Sequence, residues 1–147
     1  MRTLLMMLAI ALISTTGHAQ GKKISIEVSG IDVGRGGNLI LLVFGSHGFP
    51  LKHEKALLTH TTMVQNERMS FEINEPAPSY AEMAFKVLHD QDANNKVTKN
   101  WTGIWPAEGL GFSNGARMRS SGPPGFDEAK LSRDQIISGI KVRLIYP

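Results

Sequence analysis

The chain has 147 residues, with 16 basic side chains against 13 acidic ones, a formal net charge of +3 and no cysteine. That length suits one domain, and the missing cysteines exclude a disulfide framework, thiolate metal centres, covalently attached haem and a lipoprotein anchor. The basic residues are scattered and form no stripe or block, so no nucleic-acid partner is expected.

The opening stretch MRTLLMMLAIALISTTGHAQ sets Arg2 before an apolar run from Leu4 to Ile13 and then small residues up to Ala19. This is the three-part pattern of a secretory signal peptide, so residues 1–19 are expected to be a leader and residues 20–147 a single exported domain beginning at Gln20. The apolar run is well short of the ~20 residues a spanning helix needs. The mature chain is therefore expected to be soluble, not membrane-spanning, in the periplasm or outside the cell.

In KKISIEVSG, Ile24, Ile26 and Val28 alternate with polar neighbours, the period of a strand with one face in a core. After the turn GRGGN, the run Leu39 to Phe44 is apolar on both faces and reads as a central strand, pairing with the first as an opening hairpin. The next segment, broken by Gly48 and Pro50, is expected to cross between sheets, with a short helical turn near Leu51 to Lys55. LLTHTTMV and MSFEI, separated by QNER, read as a second hairpin ended by NEPAPS. In YAEMAFKVLHD, Ala81, Met83, Phe85, Val87 and His89 share the face expected to be buried.

From Asp90 to Gly125 the chain is rich in Gly, Asn and Pro and too long for a plain connection, so it is expected to be ordered or functional. Trp101, Ile104, Trp105, Leu110 and Phe112 suggest that it packs onto the domain. FDEAKLS suits one or two helical turns, and Ile140, Val142, Leu144 and Tyr146 alternate in a C-terminal strand expected to be central. The pattern predicts an all-β fold, a single antiparallel β-sandwich of about seven strands of Ig-like kind, with one long ordered loop and a short helical turn.

Asp90, Asp92 and Asn94 have the alternate spacing by which calcium loops gather oxygens around a hard cation. Asn95 stands where such loops place Gly, the carbonyl of Lys96 could add a ligand, and Glu108 is the nearest candidate for a distant carboxylate. An EF-hand is excluded, because its twelfth position would be Trp101 in place of Glu and the loop follows a strand. The competing reading is that Asp and Asn hydrogen-bond the loop's own backbone as Asx turns do. His89, on an apolar strand face, reads as a hydrogen-bonded core or rim histidine. The spacings of His47, His53 and His60 share no face of one element, which argues against a metal-redox centre.

Three stretches carry a family resemblance: HDQDANNK at His89 to Lys96, PAEGLGFSN at Pro106 to Asn114, and PPGFDEAKL at Pro123 to Leu131. Their order resembles the bacterial domain-of-unknown-function family 2141, small exported proteins with a Pro-x-Glu-Gly-x-Gly-Phe-Ser-Asn segment. Asn95 departs from the Gly that this pattern prefers. The resemblance implies an exported β-sandwich similar to transthyretin-like or carbohydrate-binding-like modules, and no settled activity.

The leading expectation is an exported non-catalytic binding or accessory module of the cell envelope, with a glycan or an envelope protein as partner and calcium as a candidate cofactor. Its candidate ligand-binding residues are Trp101, Trp105, Glu108, Ser113 and Asn114, and the solvent exposure of the two tryptophans discriminates for or against stacking on a sugar ring. The alternative is an envelope hydrolase using Glu108 with Asp90 or Asp92 as its acid pair. HExxH does not occur.

Overall fold

A computed structural model describes residues 22–75 and 80–147. The expected leader, the cleavage point before Gln20 and residues 76–79 of NEPAPS lie outside the described residues. Eight strands are described: β1 (Lys23–Ser29), β2 (Asn38–Phe44), β3 (Leu58–Met63), β4 (Arg68–Asn74), β5 (Glu82–Asp90), β6 (Gly109–Phe112), the two-residue β7 (Leu131–Ser132) and β8 (Ile140–Arg143). Among the described residues, helix is confined to single 3-10 turns and two short segments, α1 (Phe126–Ala129) and α2 (Arg133–Ile137). The fold is all-β and sandwich-like, as its alternating pattern predicts.

The strands form a three-stranded sheet, β4-β1-β8, and a larger sheet, β3-β2-β5-β6, with β7 pairing the start of β5. Between them lies the main core, to which Ile24, Ile26, Val28, Phe71 and Ile73 contribute from one sheet and Leu39, Leu41, Val43, Phe85 and Val87 from the other. A second apolar layer covers the outer face of the larger sheet. There Ile40, Leu42, Phe44, Leu88, Leu110 and Phe112 pack beneath Phe49, Val97 and Met118 from the connecting segments. This double cover explains why β2 and most of β5 are buried on both faces.

The pairing differs from the expected hairpins. β1 and β2 lie in different sheets, because the 30–37 connection turns through a one-turn helix capped by Asp32 and through Gly30, Gly36 and Gly37, all at positive φ. β3 pairs with β2, and β4 pairs with β1, so the 64–67 turn is a corner between sheets. The segment 45–57, expected to cross, returns to the same sheet, with its helical turn at His53–Lys55. β8 is an edge strand parallel to β1, the one parallel pair among the described strands. Within 90–125, the buried β6 adds a strand to the end of the larger sheet beside β5.

Two glycines let β6 approach the opposite sheet. A Cβ on Gly109 would lie 2.5 Å from the Tyr146 ring, and one on Gly111 would lie 2.6 Å from Val142 Cγ1. Leu110 and Ile145 exchange backbone hydrogen bonds, so the sheets are stitched together at this corner. That corner carries the candidate site.

Candidate functional site

β5 ends at Asp90, where the chain must turn beside the end of the opening connection. The clearance is small: a Cβ on Gly37 would lie 2.4 Å from the Asp90 carbonyl oxygen. The preceding residue, His89, is fully buried. The Tyr146 hydroxyl accepts from the Asp32 amide at 2.9 Å, which leaves its proton for His89 Nδ1 at 2.7 Å; His89 Nε2 then donates to the Gly36 carbonyl at 2.5 Å. Neutral imidazole satisfies every bond in this chain. His89 is a fastener between β5, the 30–37 connection and the C-terminal segment.

The Asp90 loop closes on itself through its side chains. Asp90 accepts from the amides of Asn94 and Asn95, and Asp92 accepts from the Asn94 amide, the Asn94 side chain and the Thr98 hydroxyl. Asn94 Oδ1 accepts from the Lys96 amide at 2.7 Å. Ala93 and Asn95 sit at φ values of 56° and 61°, so Asn95 does occupy the left-handed position that Gly prefers. The Thr98 hydroxyl bond in particular holds the Asp92 carboxyl below its usual pKa.

Glu108 comes to the same place from the start of β6. Its Oε1 accepts from the Gln91 amide and its Oε2 from the Thr98 amide, each at 2.9 Å. Asp90, Asp92 and Glu108 thereby offer oxygens that all lie within 4.8 Å of one another, the one such acidic group among the described residues. Asp90 and Glu108 are buried and Asp92 is exposed. The two halves of the predicted cluster do meet, and each oxygen of Asp90 and Glu108 accepts from one backbone amide.

Beyond Thr98 the chain forms a short hairpin, with Lys99 bridged to Pro106, the Ala107 amide donating to the Thr98 carbonyl and the Asn100 amide to the Trp105 carbonyl. Its tip runs from Trp101 to Trp105. Trp101 is 96% exposed and Ile104 72%, so these two do not pack into the domain as the sequence suggests, while Trp105, 38% exposed, lies partly against it. The exposure of Trp101 and Ile104 goes with their place in the turn, and of that apolar set Leu110 and Phe112 are the two that belong to the second core layer.

Trp105 and Glu108 also line a cleft of about 260 Å³ between the hairpin, Met118 and Tyr146, with Arg117 on its wall. Ser113 and Asn114 lie elsewhere. The buried Ser113 hydroxyl accepts from the Phe85 amide and donates to the Ala129 carbonyl, while the Asn114 side chain donates to the Glu128 carbonyl. Both pin the segment after β6 to α1.

A further pair is not evident from spacing. Lys86 is buried on the outer face of β5, and its Nζ donates to the Pro50 carbonyl at 2.9 Å and contacts His53 Nε2 at 2.8 Å. Burial pushes Lys86 down to about 8; His53 is lowered by its own burial and by the Lys86 charge. The one cue in the sequence is a lysine inside the otherwise apolar run AFKVL. His47 and His60 do not join them: His47 meets Ser46, and His60 packs edge-on against Phe71.

Among known proteins, the family model described as "Uncharacterized protein conserved in bacteria (DUF2141)" matches residues 26–137. No curated protein and no solved structure matches the chain.

Proposed function

The chain belongs to that uncharacterized bacterial family, and we propose that it works as an exported, non-catalytic binding module of the cell envelope that meets its partner through the tip of the Lys99–Pro106 hairpin. One observation carries this reading: Trp101 stands 96% exposed on a hairpin whose own base is well bonded. A large aromatic side chain held in water on an ordered turn is costly unless a partner covers it. Export rests on the leader pattern of residues 1–19.

The hydrolase alternative needs an acid and a base that face a substrate. Asp90 and Glu108 instead spend all four carboxylate oxygens on backbone amides, from Asn94, Asn95, Gln91 and Thr98. That arrangement favours a staple over a catalytic pair. A second role for the same loop, weak calcium binding, is favoured by the convergence of three carboxylates within 4.8 Å, since a carboxylate oxygen holding one amide keeps a lone pair for a cation. The exposed Lys96 and Lys99 oppose it and put the expected dissociation constant at roughly 0.1–1 mM.

The test of the module is co-sedimentation of the purified mature protein with isolated bacterial envelopes. Wild type should pellet and Trp101→Ala should largely stay in solution, whereas equal pelleting of the two would remove the hairpin from the account. Intact mass of the exported protein should begin at Gln20. For calcium, thermal unfolding should rise with millimolar calcium and the rise should vanish in Asp92→Asn; a flat response leaves the carboxylates as backbone staples alone.

A further inference from the structure

We propose that the partner surface of the hairpin is an anionic phospholipid bilayer, into whose headgroup region Trp101, Ile104 and Trp105 insert. This deepens the binding-module reading and rests on it. Three large apolar side chains are carried on five consecutive residues of one tight turn, with Trp101 96% and Ile104 72% exposed. Tryptophan is favoured at membrane interfaces because its ring is apolar and its indole N–H keeps a polar partner.

The tip also keeps its polar backbone out of the lipid's way. The Asn100 amide donates to the Trp105 carbonyl, the Gly103 amide to the Asn100 carbonyl, the Thr102 amide to Asn100 Oδ1, and the Ile104 amide to Thr102 Oγ1. Four amides of the turn are thus bonded internally, which lowers the cost of entering a low-dielectric interface.

Around Trp101 those same bonds weigh against a sugar as the occupant. A sugar site needs free polar side chains beside the stacking ring to meet hydroxyl groups. Here Asn100 and Thr102 bond each other, Thr102 Oγ1 donating to Asn100 Oδ1 at 2.5 Å, and Ile104 offers a hydroxyl nothing.

Charge points the same way. Lys99 stands at the base of the hairpin, Lys96 precedes it, and Arg117 lines the cleft beside Trp105; all three are exposed, and among the described residues no ion pair engages them. The exposed carboxylate on residues 91–118 is Asp92, whose oxygens are held by Asn94 and Thr98. Basic residues around an apolar tip suit a surface of phosphate headgroups.

The chain's two tryptophans are both in this tip, so selectively excited tryptophan fluorescence reports on the tip alone. The experiment adds vesicles of phosphatidylcholine, with or without phosphatidylglycerol, to the purified protein at low salt. The expected result is a blue shift and co-sedimentation with the anionic vesicles, at least roughly tenfold tighter than with neutral ones and weakened by added salt. Lys99→Gln should weaken binding by roughly fivefold. Trp101→Ala combined with Ile104→Ala should weaken it by more than roughly tenfold, with Trp105 still reporting and near-ultraviolet dichroism confirming the fold. An unshifted spectrum with both vesicle types, or equal binding to both, overturns the proposal. Binding to lipid-free peptidoglycan without vesicle binding overturns it while leaving the envelope module standing; no binding to whole envelopes removes both.

Discussion

Each oxygen of Glu108 closes a different segment, Oε1 holding the turn that leaves β5 and Oε2 the start of the hairpin. Truncating it to Ala strands the Gln91 and Thr98 amides in a part-buried place, and unpaired amides there should cost about 1–3 kcal/mol. Glu108→Gln should recover little, because its NH2 group would face one of the two N–H donors. Urea unfolding gives the loss, and hydrogen exchange should quicken at Gln91 and Thr98 first; exchange unchanged at both amides would mean that the carboxylate is no staple. The sequence made the meeting of Glu108 with the Asp90 loop legible, because the loop is dense in Asp and Asn and Glu108 is the one carboxylate in the Gly-rich stretch that follows it. It could not say which partners, since residue spacing carries no information on where backbone amides point.

At the scale of elements, alternation located the strands better than it located their neighbours. Ile140, Val142 and Leu144 are buried while Lys141 and Arg143 are exposed, as the period of two requires. Val142→Ala should therefore cost about 1–3 kcal/mol and Lys141→Ala almost nothing, measured as urea midpoints; equal losses would place the strand one residue out of register. β8 is nonetheless an edge strand, protected because β6 of the other sheet presses on it at Gly111. Gly111→Ala should be more damaging than its size suggests. The new Cβ would lie 2.6 Å from Val142 Cγ1 and 2.7 Å from the Arg143 carbonyl oxygen, so strands must separate at a cost of about 1–3 kcal/mol. A folded Gly111→Ala protein of undiminished stability would show that the two sheets are not tightly joined there. β6 escaped the sequence reading because its four residues alternate with glycine, and a GLGF run offers only two side chains to any periodicity.

Topology at the scale of the whole molecule was the least legible feature, since neighbouring strands pair only about two-thirds of the time and the corners at 30–37 and 64–67 look like ordinary hairpin turns. The layering of the fold, and nothing local to β5, encloses Lys86 beneath the 45–57 connection. With Lys86 lowered to about 8 from 10.5, the unfolded chain holds a proton that the folded one has lost across the interval between those values. Stability should therefore rise with pH from about 8, by up to about 3 kcal/mol if no other group intervened. Tyr146 does intervene: burial raises its phenol, so above about pH 10 the unfolded state ionises first and stability turns down again. On the acid side, His53 is lowered from 6.5, so stability should be lost as pH falls below 6.5 and level off once the folded imidazole is also protonated. Urea midpoints across this range should thus show a plateau near neutrality, a rise above about pH 8 and a maximum near pH 10. Lys86→Met should remove the alkaline rise and soften the acid loss, because the cation that helps to depress His53 is gone. An alkaline rise persisting in Lys86→Met would mean that the buried amine is not its source.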